Sequence, residues 1–198
     1  MSLDLVSPIR LVVLISGNGG NLQSIIDSIT NNKLPAKIVA VISNKADAYG
    51  LERAKNAGIE QHVLSHKDFS DRNQYDDALK ELIDGYHPDL IILAGFMRIL
   101  SNDFVEHYLH KMMNIHPSLL PKHKGLNTHQ RAIDAGDKEH GCSVHFVTPE
   151  LDDGPVLLQA KVEIKDNDTA ESLASRVHEQ EHRIYPEAIR MFAEKKLK

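Results

Sequence analysis

The first half of the chain alternates short unbroken apolar runs with segments whose apolar positions recur at helical spacing. Leu11-Val-Val-Leu-Ile15 contains no polar residue, the pattern of a strand covered on both faces of a parallel sheet. In Asn21-Leu-Gln-Ser-Ile-Ile-Asp-Ser-Ile-Thr30, residues Leu22, Ile25, Ile26 and Ile29 fall on one helical stripe. Lys37 to Ser43 predicts a second strand, Asp47 to Asn56 a helix stopped by Gly58, and His62 to Leu64 a short third strand. Asp71 to Tyr86 predicts a helix ending before Pro88, followed by a strand over Asp89 to Ala94. Such a β-α-β-α series implies an α/β fold with a right-handed, mostly parallel twisted sheet and flanking helices.

Beyond about residue 100 the rhythm changes. Met112 to His116 predicts a short strand running into Pro117. Gly141 to Thr148 alternates and so predicts a strand with two different faces, with Pro155 to Ile164 as its partner in an antiparallel element. Thr169 to Lys195 predicts a long closing helix, kinked or broken near Pro186. Pro117 to Thr128 has two prolines, a glycine and no period, and a loop of that length in a compact domain is more often functional than idle.

With 198 residues, 41% of them hydrophobic, the chain suits a single domain with a full core. The formal net charge is −5 and the basic residues are spread out, which argues against a nucleic-acid partner but not against a local pocket for a small anion. Cys142, the sole cysteine, cannot form an internal disulfide and fits a reducing compartment. No apolar run approaches the length of a membrane span, and Met1 to Arg10 lack the apolar core of a signal peptide. The expectation is a cytoplasmic, soluble protein without a membrane partner.

Ser16-Gly17-Asn18-Gly19-Gly20-Asn21 lies between the first strand and the first helix, where unpaired N–H groups and the helix dipole favour an anion. The dinucleotide pattern fails, because Leu22 stands where its third glycine is required and the second strand ends in Ser43-Asn44 rather than an acid. The run predicts a phosphate site; the plain alternative is a tight turn without a ligand. His178-Glu-Gln-Glu-His182 matches the helical zinc pattern H-E-x-x-H, but the extended pattern wants glycine and histidine where Tyr185 and Ala188 stand. A polar helix face rich in His and Glu is the preferred reading, since a chance match is not rare in a chain with 12 histidines, and no metal is expected.

Asn114 and His116, two apart on a strand, share one face at its C-terminal end, where open α/β sheets gather ligands. Leu151-Asp152-Asp153-Gly154-Pro155 is an acidic turn. A carboxylate beside an imidazole favours its charged form and fixes its tautomer, and an Asn amide can donate to a developing oxyanion. Acyl transfer to an amine needs those roles, although a strand-end His and a turn Asp are also common structural residues. Ser118 could suggest a serine hydrolase, but no G-x-S-x-G elbow surrounds it.

Taken together, Leu14-Ile-Ser-Gly-Asn-Gly-Gly-Asn21, Leu93-Ala-Gly-Phe-Met-Arg-Ile-Leu100, Asn114-Ile-His-Pro-Ser-Leu-Leu-Pro121, Ser143-Val-His-Phe-Val-Thr148 and Leu151-Asp-Asp-Gly-Pro155 resemble the phosphoribosylglycinamide formyltransferases of purine biosynthesis, from about residue 10 to 190. The resemblance implies a Rossmann-like formyltransferase fold forming one domain over residues 1–198. Residues 10–100 would make a phosphate-binding half and 101–198 a folate and catalytic half. It implies 10-formyltetrahydrofolate as donor, glycinamide ribonucleotide as acceptor, direct attack by the amine, and a monomer or homodimer without a metal. Asn114 would polarise the formyl oxygen, His116 would act as general acid or cationic stabiliser, and Asp152 would raise the proton affinity of His116. Gly19, Gly20 and Asn21 would hold the phosphate and Glu181 the ribose hydroxyls. Arg72, Met97, Arg98, Ile99, Leu100 and Asn114 would bind the folate, with Phe104, Met112 and residues 149–154 near the pterin.

Three positions depart from the family pattern. Gly20 stands where Ser or Thr is common, Lys124 where a proline is expected before Gly125, and Asn127 where His or Ala is frequent. Two related activities are rivals. Methionyl-tRNA formyltransferases add a C-terminal domain and a basic surface, which an acidic chain stopping at Lys198 disfavours. Formyltetrahydrofolate deformylase, which hydrolyses the same donor, adds an N-terminal domain for which the early first strand leaves no room.

Overall fold

The computed structural model describes residues 8–196. Most of the N-terminal stretch read for a signal peptide therefore lies outside the described residues. Seven strands form one sheet in the order β3-β2-β1-β4-β5-β6-β7. β1 (Ile9–Ile15), β2 (Ala36–Ser43), β3 (Gln61–Val63), β4 (Leu90–Leu93) and β5 (Met112–His116) pair in parallel. β6 (Glu139–Phe146) and β7 (Val156–Glu163) add antiparallel pairs at one side.

Side chains alternate across β1 into two cores. Leu11, Val13 and Ile15 pack under α1 (Gly20–Thr30), α2 (Tyr49–Asn56) and α6 (Ala170–Lys196). Val12 and Leu14 pack on the other face against Tyr75, Leu79 and Ile83 of α3 (Arg72–Asp84) and Phe104 and Val105 of α4 (Asn102–His107). Burial on both faces is why the parallel strands read as unbroken apolar runs. β6 is covered on both faces too, but by different chemistry. Cys142 and Val144 enter the core with α6, while the Ser143 hydroxyl donates to Ser118 O in the loop after β5.

Two differences from the sequence reading have physical causes. α4 and α5 (Thr128–Asp134) are six and seven residues long, too short for an apolar stripe to repeat. α6 runs unbroken through Pro186. The proline removes one backbone donor, but buried Ile184, Tyr185, Ala188 and Ile189 on either side bind the helix to the sheet.

The Tyr185 hydroxyl is fully buried, 2.9 Å from Leu93 O and 3.0 Å from Met113 O, so it bridges β4 and β5 just beneath the site. Tyr185→Phe removes this buried bridging hydroxyl. It should lower the unfolding free energy by about 1–3 kcal/mol, read as a lower urea midpoint with unchanged slope.

Candidate functional site

The chain runs outward from β1 to β2 and β3, then returns to β4 on the other side of β1. Connections that leave adjacent strand ends in opposite directions open a crevice there, the usual ligand position in such sheets. Ser16 directly follows β1 at this point. Its hydroxyl donates to Asn44 Oδ1 after β2 (2.6 Å) and accepts from Met97 N after β4 (2.8 Å). One buried hydroxyl therefore fixes the glycine loop relative to the 97–100 segment.

The glycine loop leads directly into α1. Gly19 caps the helix at φ 74°, and a Cβ there would lie 2.7 Å from the Gly50 Cα, so both its backbone angle and its close approach require glycine. α2 holds the loop: Gly50 N donates to Gly17 O (3.0 Å) and Arg53 Nε to Asn18 O (2.8 Å). A Cβ on Gly20 would lie 2.9 Å from His182 Nε2, so the imidazole fills the space a serine side chain would enter. Asn21 Nδ2 donates to Glu181 Oε2 (2.9 Å), and Asn21 Oδ1 is buried without a hydrogen-bond partner among the described residues. Burial pushes the Glu181 carboxyl up, against the opposing effects of Asn21, His178 and His116.

The 97–100 segment crosses the crevice with Met97 and Ile99 exposed at 70% and 64%. Two large apolar side chains held in water by an anchored backbone are suited to an apolar ligand. The Arg98 guanidinium stacks over the Tyr75 ring at 5.2 Å, and the Asp76 carboxylate accepts from Ser101 N at 2.6 Å, so α3 anchors the segment. Arg72 is the exposed first residue of α3. Phe104 and Met112, by contrast, are fully packed among core side chains such as Tyr108 and present no surface to a pterin.

Asn114 and His116 share one face of β5, opposite His145 and Ser143 of β6. Asp152 approaches from the turn before β7, its Oδ2 3.4 Å from His116 Nδ1. The other ring nitrogen, Nε2, donates to His123 O at 3.0 Å. Both nitrogens thus face oxygen acceptors, an arrangement satisfied by an imidazolium, which donates on both sides. Asp152 Oδ2 also accepts from Gly125 N at 3.0 Å, and the Asp152 backbone is left-handed at φ 51°. That conformation is costly for a non-glycine residue and concentrates at functional sites. Two residues on, a Cβ on Gly154 would lie 1.8 Å from Phe146 O, so the turn closes against β6 only with glycine there.

His145 is a member of this cluster that sequence reading did not single out. Its Nδ1 lies 2.9 Å from Phe146 O and donates to it, which leaves Nε2 as acceptor for Asn114 Nδ2 at 3.3 Å. Burial holds the ring neutral, opposed by the Phe146 carbonyl and Asp152. A neutral His145 therefore orients the Asn114 amide. The available signal was its alternation with Ser143, but the pairing of Asn114 with His145 depends on a strand register that sequence does not reveal.

The loop after β5 is bound down throughout. Ser118 Oγ is buried and donates to Lys122 O at 2.6 Å, so it is not an exposed nucleophile. Asn127 caps α5 in the left-handed region at φ 56°, which Asn tolerates better than most residues. The two histidines of the zinc-like pattern have different neighbours: His182 packs on Gly20, while the His178 ring lies 6.4 Å from that of His129. Among the described residues no group of three or more His, Cys, Asp or Glu is arranged to hold a metal ion, and no helix is long and apolar enough to cross a membrane.

A sequence model of the formyl transferase family matches residues 9–189. The phosphoribosylglycinamide formyltransferase of Escherichia coli (strain K12) is 57% identical over 96% of this chain and 89% of its own length. The trifunctional purine biosynthetic protein adenosine-3 of Bos taurus is 48% identical over 93% of this chain, which matches 18% of that protein. The structure of the Coxiella burnetii phosphoribosylglycinamide formyltransferase in complex with CHES superposes with a TM-score of 0.91 at 55% identity, covering 95% of this chain and 88% of that one.

Proposed function

The chain belongs to the formyl transferase family, and from that premise we propose how its residues divide the work. The reaction moves a formyl group onto the amine of 5′-phosphoribosylglycinamide, a step of purine biosynthesis. The donor is 10-formyltetrahydrofolate and the products are formylglycinamide ribonucleotide and tetrahydrofolate.

The N–H groups of Gly19, Gly20 and Asn21 hold the phosphate, and buried Glu181 accepts from the ribose hydroxyls. Met97 and Ile99 line the folate, with Arg98, Leu100 and Arg72 beside them. The amine attacks the formyl carbon and the carbonyl oxygen becomes an oxyanion. The Asn114 amide, turned by His145, donates to that oxygen, and His116 stabilises it as a cation held by Asp152. As the carbon–nitrogen bond to the folate breaks, His116 exchanges its bond to His123 O for the leaving nitrogen and passes it a proton, and the ammonium formed by attack returns one. No step requires a metal.

The observation that carries this reading is the convergence of Asn114, His116, His145 and Asp152 on one crevice with the glycine loop. The test is formyl release from 10-formyltetrahydrofolate with and without glycinamide ribonucleotide. Release only with the amine, at one product per donor consumed, is expected. Equal release without it would identify a hydrolase, and none in either case would sink the assignment.

A further inference from the structure

Lys124 stands where the family pattern leads to a proline, and its side chain has an unusual partner. The ammonium forms an ion pair with Asp153 Oδ1, while the next residue, Gly125, donates its N–H to the carboxylate of the neighbouring Asp152. Two consecutive residues of the loop after β5 thus bind two consecutive residues of the turn before β7. The residue before Lys124 completes the set, because the His123 carbonyl accepts from His116 Nε2. The loop side is itself held fast: Lys122 and His123 both pair with Asp137, at 2.8 and 2.7 Å, and Arg131 donates to Lys124 O at 2.6 Å. On the turn side, Asp152 occupies a left-handed backbone conformation with no regular structure to keep it there.

We propose that the Lys124–Asp153 ion pair is a latch that holds Asp152 at its distance from His116, making Lys124 and Asp153 positioning residues for formyl transfer. A proline at 124 would stiffen the loop without reaching across to the turn; the lysine makes the link through its charge. The pair is partly exposed, with side chains 37% and 42% accessible, so it responds to ionic strength and its loss leaves the global fold intact. The Lys124 ammonium also holds the Asp153 carboxyl below the usual carboxylate range.

The inference rests on the proposed reaction, and the test separates the two. Lys124→Ala and Asp153→Asn should each lower kcat about two- to fivefold, the size one exposed ion pair can carry, with little change in Tm. Added salt should slow the wild type but not these variants, and Lys124→Arg should retain both the rate and its salt response. Independently of turnover, hydrogen exchange at the Gly125 amide should quicken by a similar factor in Lys124→Ala, and in the wild type at high salt. Unchanged Gly125 exchange in Lys124→Ala would overturn the latch whether or not the protein transfers formyl groups. Faster exchange with an unaltered, equally salt-sensitive kcat would overturn its role in the reaction. A wild type that transfers no formyl group defeats the functional assignment and leaves the exchange experiment to decide the latch.

Discussion

His116→Ala should lower kcat for formyl transfer by roughly 10²- to 10⁴-fold, the range general acid–base groups supply. The ring is 6% exposed and both its nitrogens are engaged, Nδ1 toward Asp152 and Nε2 on His123 O. Alanine removes the proton donor and its bond to the His123 carbonyl but none of the groups proposed to bind the substrates, so binding of both should change far less than turnover. The vacated space leaves the His123 carbonyl without its donor and the Asp152 carboxylate without its ring. A stability loss of about 1–3 kcal/mol should accompany the kinetic effect. Single-turnover rates at saturating substrates, with circular dichroism to verify folding, provide the check. A variant within threefold of the wild-type rate would refute the role given to this residue.

Asp152→Asn should be nearly as severe, at roughly 10²- to 10³-fold in kcat. The side chains are isosteric, and the amide oxygen can still accept from Gly125 N, whose present acceptor is Oδ2. The oxygen facing His116 Nδ1 is that same Oδ2. Asparagine cannot serve both donors with a full negative charge, so the His116 ring loses its charged partner while the turn keeps its shape. The expected signature is a large fall in kcat with KM values close to wild type and a Tm within a few degrees. A fall in Tm matching a general loss of structure, or a kcat that survives the substitution, would count against the charge partnership.

Legibility from sequence followed the range of the interactions. The parallel strands were readable because burial on both faces leaves runs such as Leu11 to Ile15 without a polar residue. α1 was readable because Leu22, Ile25 and Ile26 form its buried stripe. Asn114 and His116 could be placed on one strand face by counting, since alternation is local. Asp152 could not be brought to them that way, because a carboxylate 36 positions on from His116 reaches it only through a left-handed turn and a Gly125 contact. The resemblance named it; geometry now shows how it gets there. His145 stayed hidden because its part depends on register across an antiparallel pair. Phe104 and Met112 could not be resolved further because apolar residues near a site in sequence are either its lining or the core beneath it. Only packing distinguishes the two, and here it puts both in the core.

The position of α6 carries a consequence for how the molecule is made. Glu181 follows every other proposed site residue in the chain, and Tyr185, four residues later, closes the buried bond to β4 and β5. At ribosomal speeds of about 5–20 residues per second, synthesis from His116 to Glu181 occupies roughly 3–13 s. During that interval the β4–β5 pair lacks its bridging hydroxyl and the glycine loop lacks the carboxylate that holds Asn21. The emerging polypeptide therefore presents a partly uncovered apolar sheet face until its final helix leaves the exit tunnel, and the pocket is assembled in one closing event rather than residue by residue.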